Sequence, residues 1–223
     1  MCYNNVGVFM RQRNVKNKKE IINNSNYIIL NPSEYKSNWH KLFNNFNPIY
    51  IEIGMGKGDV ILENAKSYPN INFIGIEKFD SIMALAIKKI ENYELNNLKL
   101  VRMDALNILD VFDKEIDKIY LNFSDPWPKP RHAKRRLTSP VFLEKYSYIF
   151  KNNPVIEMKT DNRELFEYSL ISFVDNGYKI EDISLDLHNS NYELNIMTEY
   201  ERKFSSLNNS IYYVKVVKNK ESL

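Results

Sequence analysis

Acidic residues stand near the ends of three successive apolar segments in the first half of the chain. Glu52 lies in segment 48–53, Glu77 directly follows segment 71–76, and Asp104 directly follows segment 98–103. Any one of these acids alone is explained by a helix cap or a turn. Their recurrence at successive segment ends instead indicates carboxylates that converge on one ligand, because parallel sheets bind ligands outside the carboxyl ends of their strands.

A glycine-rich loop follows the first of these segments. Gly54, Gly56 and Gly58 occupy alternate positions before a predicted helix, where glycine lets the backbone turn tightly and approach a ligand. Glu77, about 20 residues further on, is placed to accept both hydroxyls of a ribose. A dinucleotide loop requires Gly-x-Gly-x-x-Gly, whereas this chain has Asp59 at the last glycine position. The spacing therefore favours S-adenosylmethionine over a dinucleotide. Asp104, after segment 98–103, then offers a second carboxylate near the adenine.

Apolar patterning predicts the elements that position these residues. Strands are predicted at 48–53, 71–76, 98–103, 116–123 and 155–159, and helices at 59–67, 80–94, 105–112, 140–150 and 164–176. Segments 178–187 and 211–217 are predicted to close the chain as an antiparallel hairpin. Strands that alternate with helices imply an α/β fold with a mostly parallel sheet and helices on both faces. We expect a basic arm and lead-in segment at 1–47, the main domain at 48–218 and a tail at 219–223.

The composition narrows the classes of protein that the chain can represent. It has 223 residues, a formal net charge of +3 and 26% charged residues, which is ordinary for one globular domain. The sequence has no apolar run of about 18 residues, and its first nine residues do not resemble a signal peptide. Cys2 is the only cysteine, so an internal disulfide and a cysteine metal site are excluded. We therefore expect a cytoplasmic protein that needs neither a membrane nor a metal.

Basic residues concentrate in two short stretches. Five lysines and arginines fall within residues 11–19, and five more within residues 129–136. In a chain of nearly neutral charge, two such clusters indicate a polyanion as partner. Each cluster on its own is also typical of a solvated tail or loop.

The second basic stretch directly follows the sequence Asp125-Pro-Trp127-Pro, at the end of predicted strand 116–123. Proline fixes its own φ and restricts the residue before it, so Asp125 and Trp127 are expected to be held in place. Trp127 has two interpretations: it stacks on a base, or it fills the edge of the core. A fixed acid and an aromatic ring beside phosphate-binding cations suit an enzyme that acts on one base of a folded nucleic acid. The side chains available to phosphates are Lys129, Arg131, His132, Lys134, Arg135 and Arg136.

These residues also resemble a known signature. FSDPWPK at 123–129, followed by RHAKRRL at 131–137, resembles the signature of the bacterial tRNA (guanine-N7-)-methyltransferase family. Further segments resemble that family in order along the chain: MRQR at 10–13, KTDN at 159–162, FE at 166–167 and TEYE at 198–201. The glycine loop resembles the first motif of class I methyltransferases in general. The resemblance covers about residues 10–218, and the nine residues before Met10 have no counterpart in the pattern.

The resemblance implies a Rossmann-like class I methyltransferase fold with a seven-stranded sheet, S-adenosyl-L-methionine as cofactor and tRNA as partner. The methyl group would go to N7 of a guanine, namely guanosine 46 of the variable loop. The enzyme would be a monomer or a homodimer. Cofactor binding is assigned to Glu52, Gly54, Gly56, Gly58, Glu77, Asp104 and Asp125, and Asp125 is also catalytic. Substrate binding is assigned to Lys129, Arg131, His132, Lys134, Arg135, Arg136, Asp161, Thr198, Glu199, Tyr200 and Glu201.

Other functions fit parts of the sequence. Methyltransferases that act on adenine N6 or cytosine N4 carry an acid or Asn before Pro-Pro-aromatic at the same sheet edge, whereas Trp127 comes one position earlier here. A non-catalytic RNA-binding protein with a relic of this fold would also carry basic stretches, but all cofactor positions hold chemically able residues. Within the favoured function, Asp125 and Asp161 are both candidates to stabilise the methylated guanine or to bind its N1 and N2 hydrogens.

Overall fold

The computed structural model describes residues 15–190 and 210–219. The strands are β1 (Ile49–Ile53), β2 (Asn72–Glu77), β3 (Leu98–Arg102), β4 (Lys118–Asn122), β5 (Val155–Thr160), β6 (Lys179–Ser184) and β7 (Tyr212–Val217). Within this part of the chain they form a seven-stranded sheet in the order β3-β2-β1-β4-β5-β7-β6. Strands β1 to β5 are parallel, and β7 lies antiparallel between β5 and β6.

Helices connect most of the parallel strands. They are α1 (Lys18–Asn24), α2 (Trp39–Phe43), α3 (Asp59–Ser67), α4 (Asp80–Ile90), α5 (Ile108–Val111), α6 (Pro140–Ile149) and α7 (Arg163–Asp175). Short 3-10 helices occur at Pro32–Tyr35, Ala105–Asn107, Pro130–Arg135 and Leu187–Asn189. Across residues 15–190 and 210–219, no helix has the length and hydropathy needed to span a bilayer.

Apolar side chains cover both faces of the sheet, because successive strand residues point to opposite sides. Residues of α2, α5, α6 and α7 pack with strand residues such as Ile51, Ile119 and Ile156 in one core. Residues of α1, α3 and α4 form a second core with Phe73 and Leu100. The predicted α/β architecture, a mostly parallel sheet with helices on both faces and a C-terminal antiparallel strand, is confirmed.

The lead-in segment before β1 packs against the sheet. Ile28 makes a parallel bridge to Leu100, so this segment runs along the outer edge of β3. Trp39 is fully buried, and its indole N–H donates to the carbonyl of Val111 at 3.1 Å. The sequence did not reveal these contacts, because they depend on single apolar residues and not on a periodic face.

Three predicted elements are shorter or less regular in the structure. The predicted helix at 80–94 ends at Ile90, and the predicted helix at 105–112 is a 3-10 helix followed by the four-residue α5. The predicted strand at 116–123 ends before Phe123, which has a φ of +50°. A left-handed residue cannot continue a strand, so the chain turns there towards the Asp-Pro-Trp-Pro loop.

Candidate active site

The loops after β1, β2, β3 and β4 meet at one edge of the sheet. The backbone N–H groups of Gly54 and Met55 donate to the carbonyl of Ile76, at 2.9 and 3.0 Å. The backbone N–H of Met103 donates to the carbonyl of Glu77 at 3.1 Å. These bonds hold three strand ends together, so the acids that follow them share one surface.

All three glycines of the loop between β1 and α3 adopt left-handed backbone angles. The φ values are +75° at Gly54, +58° at Gly56 and +75° at Gly58. A Cβ added at Gly56 would meet no heavy atom within 4 Å, whereas one added at Gly58 would lie 3.2 Å from Cδ1 of Ile90. Gly56 therefore leaves an open backbone surface at the sheet edge, while Gly58 lets α3 approach α4 closely.

Glu77 ties the glycine loop to the end of β2. Its Oε2 accepts a hydrogen bond from the backbone N–H of Gly56 at 3.2 Å, and its Oε1 accepts from Lys78 N–H at 2.8 Å and Phe79 N–H at 2.9 Å. Burial raises the pKa of Glu77, the three hydrogen bonds oppose the rise, and the negative charge of Asp125 adds to it. The electrostatic effect of Asp125 places the two predicted acids near each other.

Asp104 follows β3 and pairs with a lysine. Its Oδ1 accepts from the backbone N–H of Leu106 at 3.0 Å, and its Oδ2 accepts from Nζ of Lys78 at 2.6 Å. Partial burial acts to raise the pKa of Asp104, but these two donors outweigh it and the pKa is lowered. Asp104 is therefore ionised at neutral pH.

Glu52 lies deeper than the other predicted acids, within β1. It is 2% exposed, and its Oε1 accepts from Nδ2 of Asn122 in β4 at 3.0 Å. Its Oε2 has no hydrogen-bond partner among the described residues. Burial raises the pKa of Glu52 to about 7, against the lowering effects of the Asn122 amide, the positive charge of Lys159 and the nearby backbone N–H of Ile61. A buried carboxyl oxygen without a partner is costly unless a ligand supplies the donor.

Two residues with a strained backbone lie in the segment that follows β4, one before the Asp-Pro-Trp-Pro loop and one within it. Phe123 and Trp127 both have positive φ, +50° and +43°, which costs free energy for a residue with a side chain. Asp125 lies between them and is exposed. Strain of this kind persists only where neighbouring residues hold the backbone in place.

Trp127 is partly exposed and has polar neighbours. The ring of His132 lies edge-on at 5.7 Å, and the guanidinium of Arg135 lies 5.0 Å from the ring centroid. Of the two interpretations of Trp127, the structure supports a ring at the surface, since it belongs to none of the core clusters among the described residues.

The predicted RNA-binding stretch includes a 3-10 helix, Pro130–Arg135, beside this loop. Most of its cations are exposed, namely Lys129, Arg131, Lys134 and Arg135. The pKa of His132 is lowered by partial desolvation and by three neighbouring cations, so the ring is neutral at neutral pH. Arg136 differs from the others: its Nε donates to the carbonyl of Pro126 at 3.0 Å and its Nη2 to that of Trp127 at 3.1 Å.

Of the remaining predicted residues, only Asp161 belongs to the described part of the chain. It follows β5 and precedes Asn162, whose side chain caps α7 through the backbone N–H of Leu165 at 2.7 Å. The predicted substrate residues Thr198, Glu199, Tyr200 and Glu201, and the MRQR segment at 10–13, lie outside the described residues. Their roles stay predictions.

Three contacts at the site were not predicted from the sequence: Asn122 to Glu52, Lys78 to Asp104, and Arg136 to the loop. The first could have been found only once the register of β4 and β1 was known, because Asn122 lies two residues after Tyr120, which is opposite Glu52. Alternate residues of a strand share a face, so the amide and the carboxyl were candidates to meet. The other two depend on long side chains whose direction the sequence does not specify.

Among the described residues, no group of three or more His, Cys, Asp or Glu side chains is placed to hold a metal ion. The site consists instead of separate carboxylates at successive strand ends, an open glycine backbone and a basic helical turn. This arrangement suits an organic ligand that carries hydroxyl and amino donors.

Comparison with known proteins identifies the family. A family model described as "Putative methyltransferase" matches residues 46–214. The tRNA (guanine-N(7)-)-methyltransferase of Lachnoclostridium phytofermentans is 49% identical over 95% of this chain and 100% of its own length. The enzyme of the same name from Bacillus subtilis (strain 168) is 52% identical over 86% of this chain and 91% of its own.

A solved structure shares the fold. An antibiotic-related methyltransferase superposes with a TM-score of 0.60 at 18% identity, covering 82% of this chain and 93% of its own. The Rossmann-like methyltransferase fold predicted from the sequence is therefore confirmed. The family model and the relatives cover most of the sequence, and the chain belongs to the tRNA (guanine-N(7)-)-methyltransferase family.

Proposed function

We propose that this chain transfers the methyl group of S-adenosyl-L-methionine to N7 of a guanine in tRNA, and that the target is guanosine 46 of the variable loop. The names of its relatives support the reaction. The observation that carries the proposal is the position of Asp125. It is near enough to Glu77 to raise the pKa of that carboxyl, and a basic helical turn follows it in the same loop.

The donors and acceptors at the sheet edge fit the proposed cofactor. The open backbone at Gly56 accepts a ligand at close range. The carboxyl of Glu52 is buried, so it is proposed to support the loop at the methionine end of the cofactor. Glu77 can accept a ribose hydroxyl with the lone pair of Oε2 that its three backbone bonds leave over, and Asp104 can accept from the adenine. The proposed cofactor residues are thus Glu52, Gly54, Gly56, Gly58, Glu77, Asp104 and Asp125.

The chemistry places a modest demand on the protein. Guanine N7 carries an in-plane lone pair and no proton, so no general base is required. The cofactor supplies a methyl group already activated by a sulfonium. Held by the residues at the sheet edge, the cofactor would give its methyl group to the lone pair of N7, the carbon–sulfur bond would break, and the positive charge would pass from sulfur to the purine. The protein must align the three atoms and stabilise the purine charge, and alignment of this kind contributes about 7–11 kcal/mol.

The residues proposed for the RNA side lie around this reaction point. The exposed Lys129, Arg131, Lys134 and Arg135 would neutralise phosphates, and neutral His132 can donate or accept a hydrogen bond. Asp161, after β5, and the TEYE segment at 198–201 are proposed to contact the guanosine on the basis of the family resemblance. A carboxylate at position 125 or 161 would stabilise the methylated purine or bind its N1 and N2 hydrogens.

The test is methyl transfer to tRNA transcripts that differ only at position 46. The purified chain is incubated with methyl-labelled cofactor and with transcripts that carry guanosine or adenosine there, and the digested nucleosides are separated. We expect labelled 7-methylguanosine from the first transcript only.

Three results would contradict parts of the proposal. Equal 7-methylguanosine from both transcripts would refute position 46 while keeping the reaction. Label in N6-methyladenosine or N4-methylcytidine would refute the reaction itself and favour an amino-methyltransferase. A chain that binds tRNA but gives no calorimetric signal with the cofactor would instead be a non-catalytic RNA-binding protein.

A further inference from the structure

We infer that Arg136 is a positioning residue, which holds the Asp-Pro-Trp-Pro loop in its reactive shape from the protein side and does not bind RNA phosphates. The inference rests on the proposed function and divides the basic stretch into two kinds of arginine. The contrast is sharpest between neighbours, because Arg135 is exposed and Arg136 is partly buried.

The donors of Arg136 point into the protein. Its Nε and Nη2 each bind a carbonyl of the loop, those of Pro126 and Trp127, at 3.0 and 3.1 Å. Its guanidinium lies 4.2 Å from the ring centroid of Tyr168 in α7. A planar guanidinium can bind two neighbouring carbonyls and stack on an aromatic ring at once, which an ammonium cannot do.

The backbone that carries Arg136 is itself fixed to α7. Oγ1 of Thr138 lies 2.7 Å from Oγ of Ser169, and Oγ of Ser172 donates to the carbonyl of Thr138 at 2.6 Å. Thr138 and Ser169 are fully buried. Arg136 therefore extends from a rigid base, two residues before these bonds, back to the loop.

The loop needs such a support because of its strain. Trp127 has a φ of +43°, and its carbonyl is one of the two that Arg136 binds. The other carbonyl, of Pro126, directly follows Asp125 in the chain. If Arg136 is removed, the strained loop can relax, and Asp125 moves away from the cofactor residues without any loss of its own charge.

Arg135 provides the matched comparison. Its guanidinium lies 5.0 Å from the ring centroid of Trp127, and because the side chain is exposed it can turn towards a phosphate. A phosphate-binding side chain and a positioning side chain differ in their dependence on salt, because removal of one phosphate-binding cation reduces the salt slope of RNA binding by about one. Removal of a residue that only supports the loop leaves that slope unchanged.

The experiment compares Arg135→Ala, Arg136→Ala and Arg136→Lys by single-turnover methyl transfer at saturating tRNA and by tRNA binding across a range of salt. We expect Arg136→Ala to lower the single-turnover rate about a hundredfold, as a displacement of about 1 Å can do, with the salt slope of the unchanged protein. Arg136→Lys keeps the charge but should not restore the rate. Arg135→Ala should lower the salt slope by about one and raise KM, with a much smaller effect on the rate.

Variants of Tyr168 make the test independent of how well Arg136→Ala folds. Tyr168→Phe keeps the ring and should keep the rate, whereas Tyr168→Ala should lose part of it at an unchanged salt slope. A full rate for Arg136→Lys together with a reduced slope for Arg136→Ala would overturn the inference, since charge alone would then matter. If the unchanged protein methylates no guanine, the proposed function fails, and the salt slopes of Arg135→Ala and Arg136→Ala still decide whether Arg136 binds RNA phosphates.

Discussion

The side-chain amide of Asn122 donates to one oxygen of Glu52 at 3.0 Å, and the other oxygen of Glu52 has no partner among the described residues. The two residues lie on adjacent strands, β4 and β1, beneath the glycine loop. Since Glu52 is 2% exposed, burial raises its pKa to about 7. The protein thus holds, next to its proposed cofactor site, a carboxyl group that is about half protonated at neutral pH.

The raised pKa of Glu52 predicts how the stability of the protein depends on pH. Between the ordinary glutamate pKa of 4.5, which applies in the unfolded chain, and the folded pKa of about 7, Glu52 is protonated in the folded chain and ionised in the unfolded chain. The stability that it contributes is therefore present below the unfolded pKa and is lost as the pH rises through the folded one. We expect the free energy of unfolding of Glu52→Gln, relative to the unchanged protein, to rise by about 2.5 kcal/mol between pH 5 and pH 8.

Urea unfolding without cofactor at pH 5, 6.5 and 8 measures this difference. Glu144→Gln is the control for the loss of a glutamate, because Glu144 is exposed on α6. A pH-independent difference for Glu52→Gln would mean that Glu52 is ionised in the folded protein.

Gly56 and Gly58, in the loop between β1 and α3, distinguish a loss of stability from a loss of ligand binding. Gly58→Ala should lower the free energy of unfolding by about 2 kcal/mol or more, because its φ is +75° and its new Cβ would lie 3.2 Å from Ile90 and 3.4 Å from Ala86. Gly56→Ala should cost about 1 kcal/mol from backbone strain alone, since its Cβ would meet no atom. Cofactor binding is measured by calorimetry. The ratio of lost cofactor affinity to lost stability should be larger for Gly56→Ala than for Gly58→Ala. Equal stability losses for the two variants would contradict the packing argument.

Removal of the ion pair between Lys78 and Asp104 should change the pKa of Asp104 and should change the stability of the fold only slightly. The side chains are 58% and 31% exposed, so solvent screens the pair and its loss should cost less than about 1 kcal/mol. Lys78→Met should raise the lowered pKa of Asp104 towards its ordinary value, which NMR titration of the carboxyl carbon measures. Because a lowered carboxyl pKa stabilises the fold above the unfolded pKa, the variant should lose its small deficit in stability as the pH falls.

Arg102→Met is the matched control for this pair, because Arg102 pairs with Asp80 at 3.2 Å and not with Asp104. It should leave the titration of Asp104 unchanged. A shift of the same size in both variants would assign the lowered pKa to the general positive field of this edge and not to Lys78.

The sequence allowed the fold and the main acids to be predicted, because both follow from local pattern and topology. Alternating apolar segments specify parallel strands, and acids at strand ends must then share an edge, as Glu77 and Asp104 do. The sequence did not specify which side chains contact each other. Arg135 and Arg136 are neighbours of the same type in one basic run, yet one lies over the ring of Trp127 and the other binds two backbone carbonyls of the Asp-Pro-Trp-Pro loop.

Trp39 gives the complementary case for the fold. It lies in a segment without apolar periodicity, but it is fully buried and stacks on Phe112 at a centroid distance of 5.2 Å. We expect Trp39→Ala to cost about 3–5 kcal/mol, and Trp39→Phe to cost about 1–3 kcal/mol by leaving the carbonyl of Val111 without its donor. Urea unfolding followed by circular dichroism measures both. A loss below about 1 kcal/mol for Trp39→Ala would mean that the lead-in segment contributes little to the core.

Asp125 should be required for turnover and dispensable for folding. Because it is exposed, its removal leaves no cavity, and the free energy of unfolding of Asp125→Ala should stay within about 0.5 kcal/mol of that of the unchanged protein. The single-turnover rate should fall by about a hundredfold or more, since a fixed charge near the reacting atoms is lost. Asp125→Asn, which keeps the size and removes the charge, should lose nearly as much.

Asp161→Asn decides which carboxylate serves the guanine. If Asp125 acts through the cofactor, Asp125→Asn weakens cofactor binding in calorimetry, whereas Asp161→Asn leaves it intact and raises KM for tRNA. If Asp161 stabilises the methylated purine, its variant instead lowers the rate at saturating tRNA. A wild-type rate in purified Asp125→Ala would show that Asp125 is not catalytic, and its effect on the pKa of Glu77 would then reflect only its position near that carboxyl.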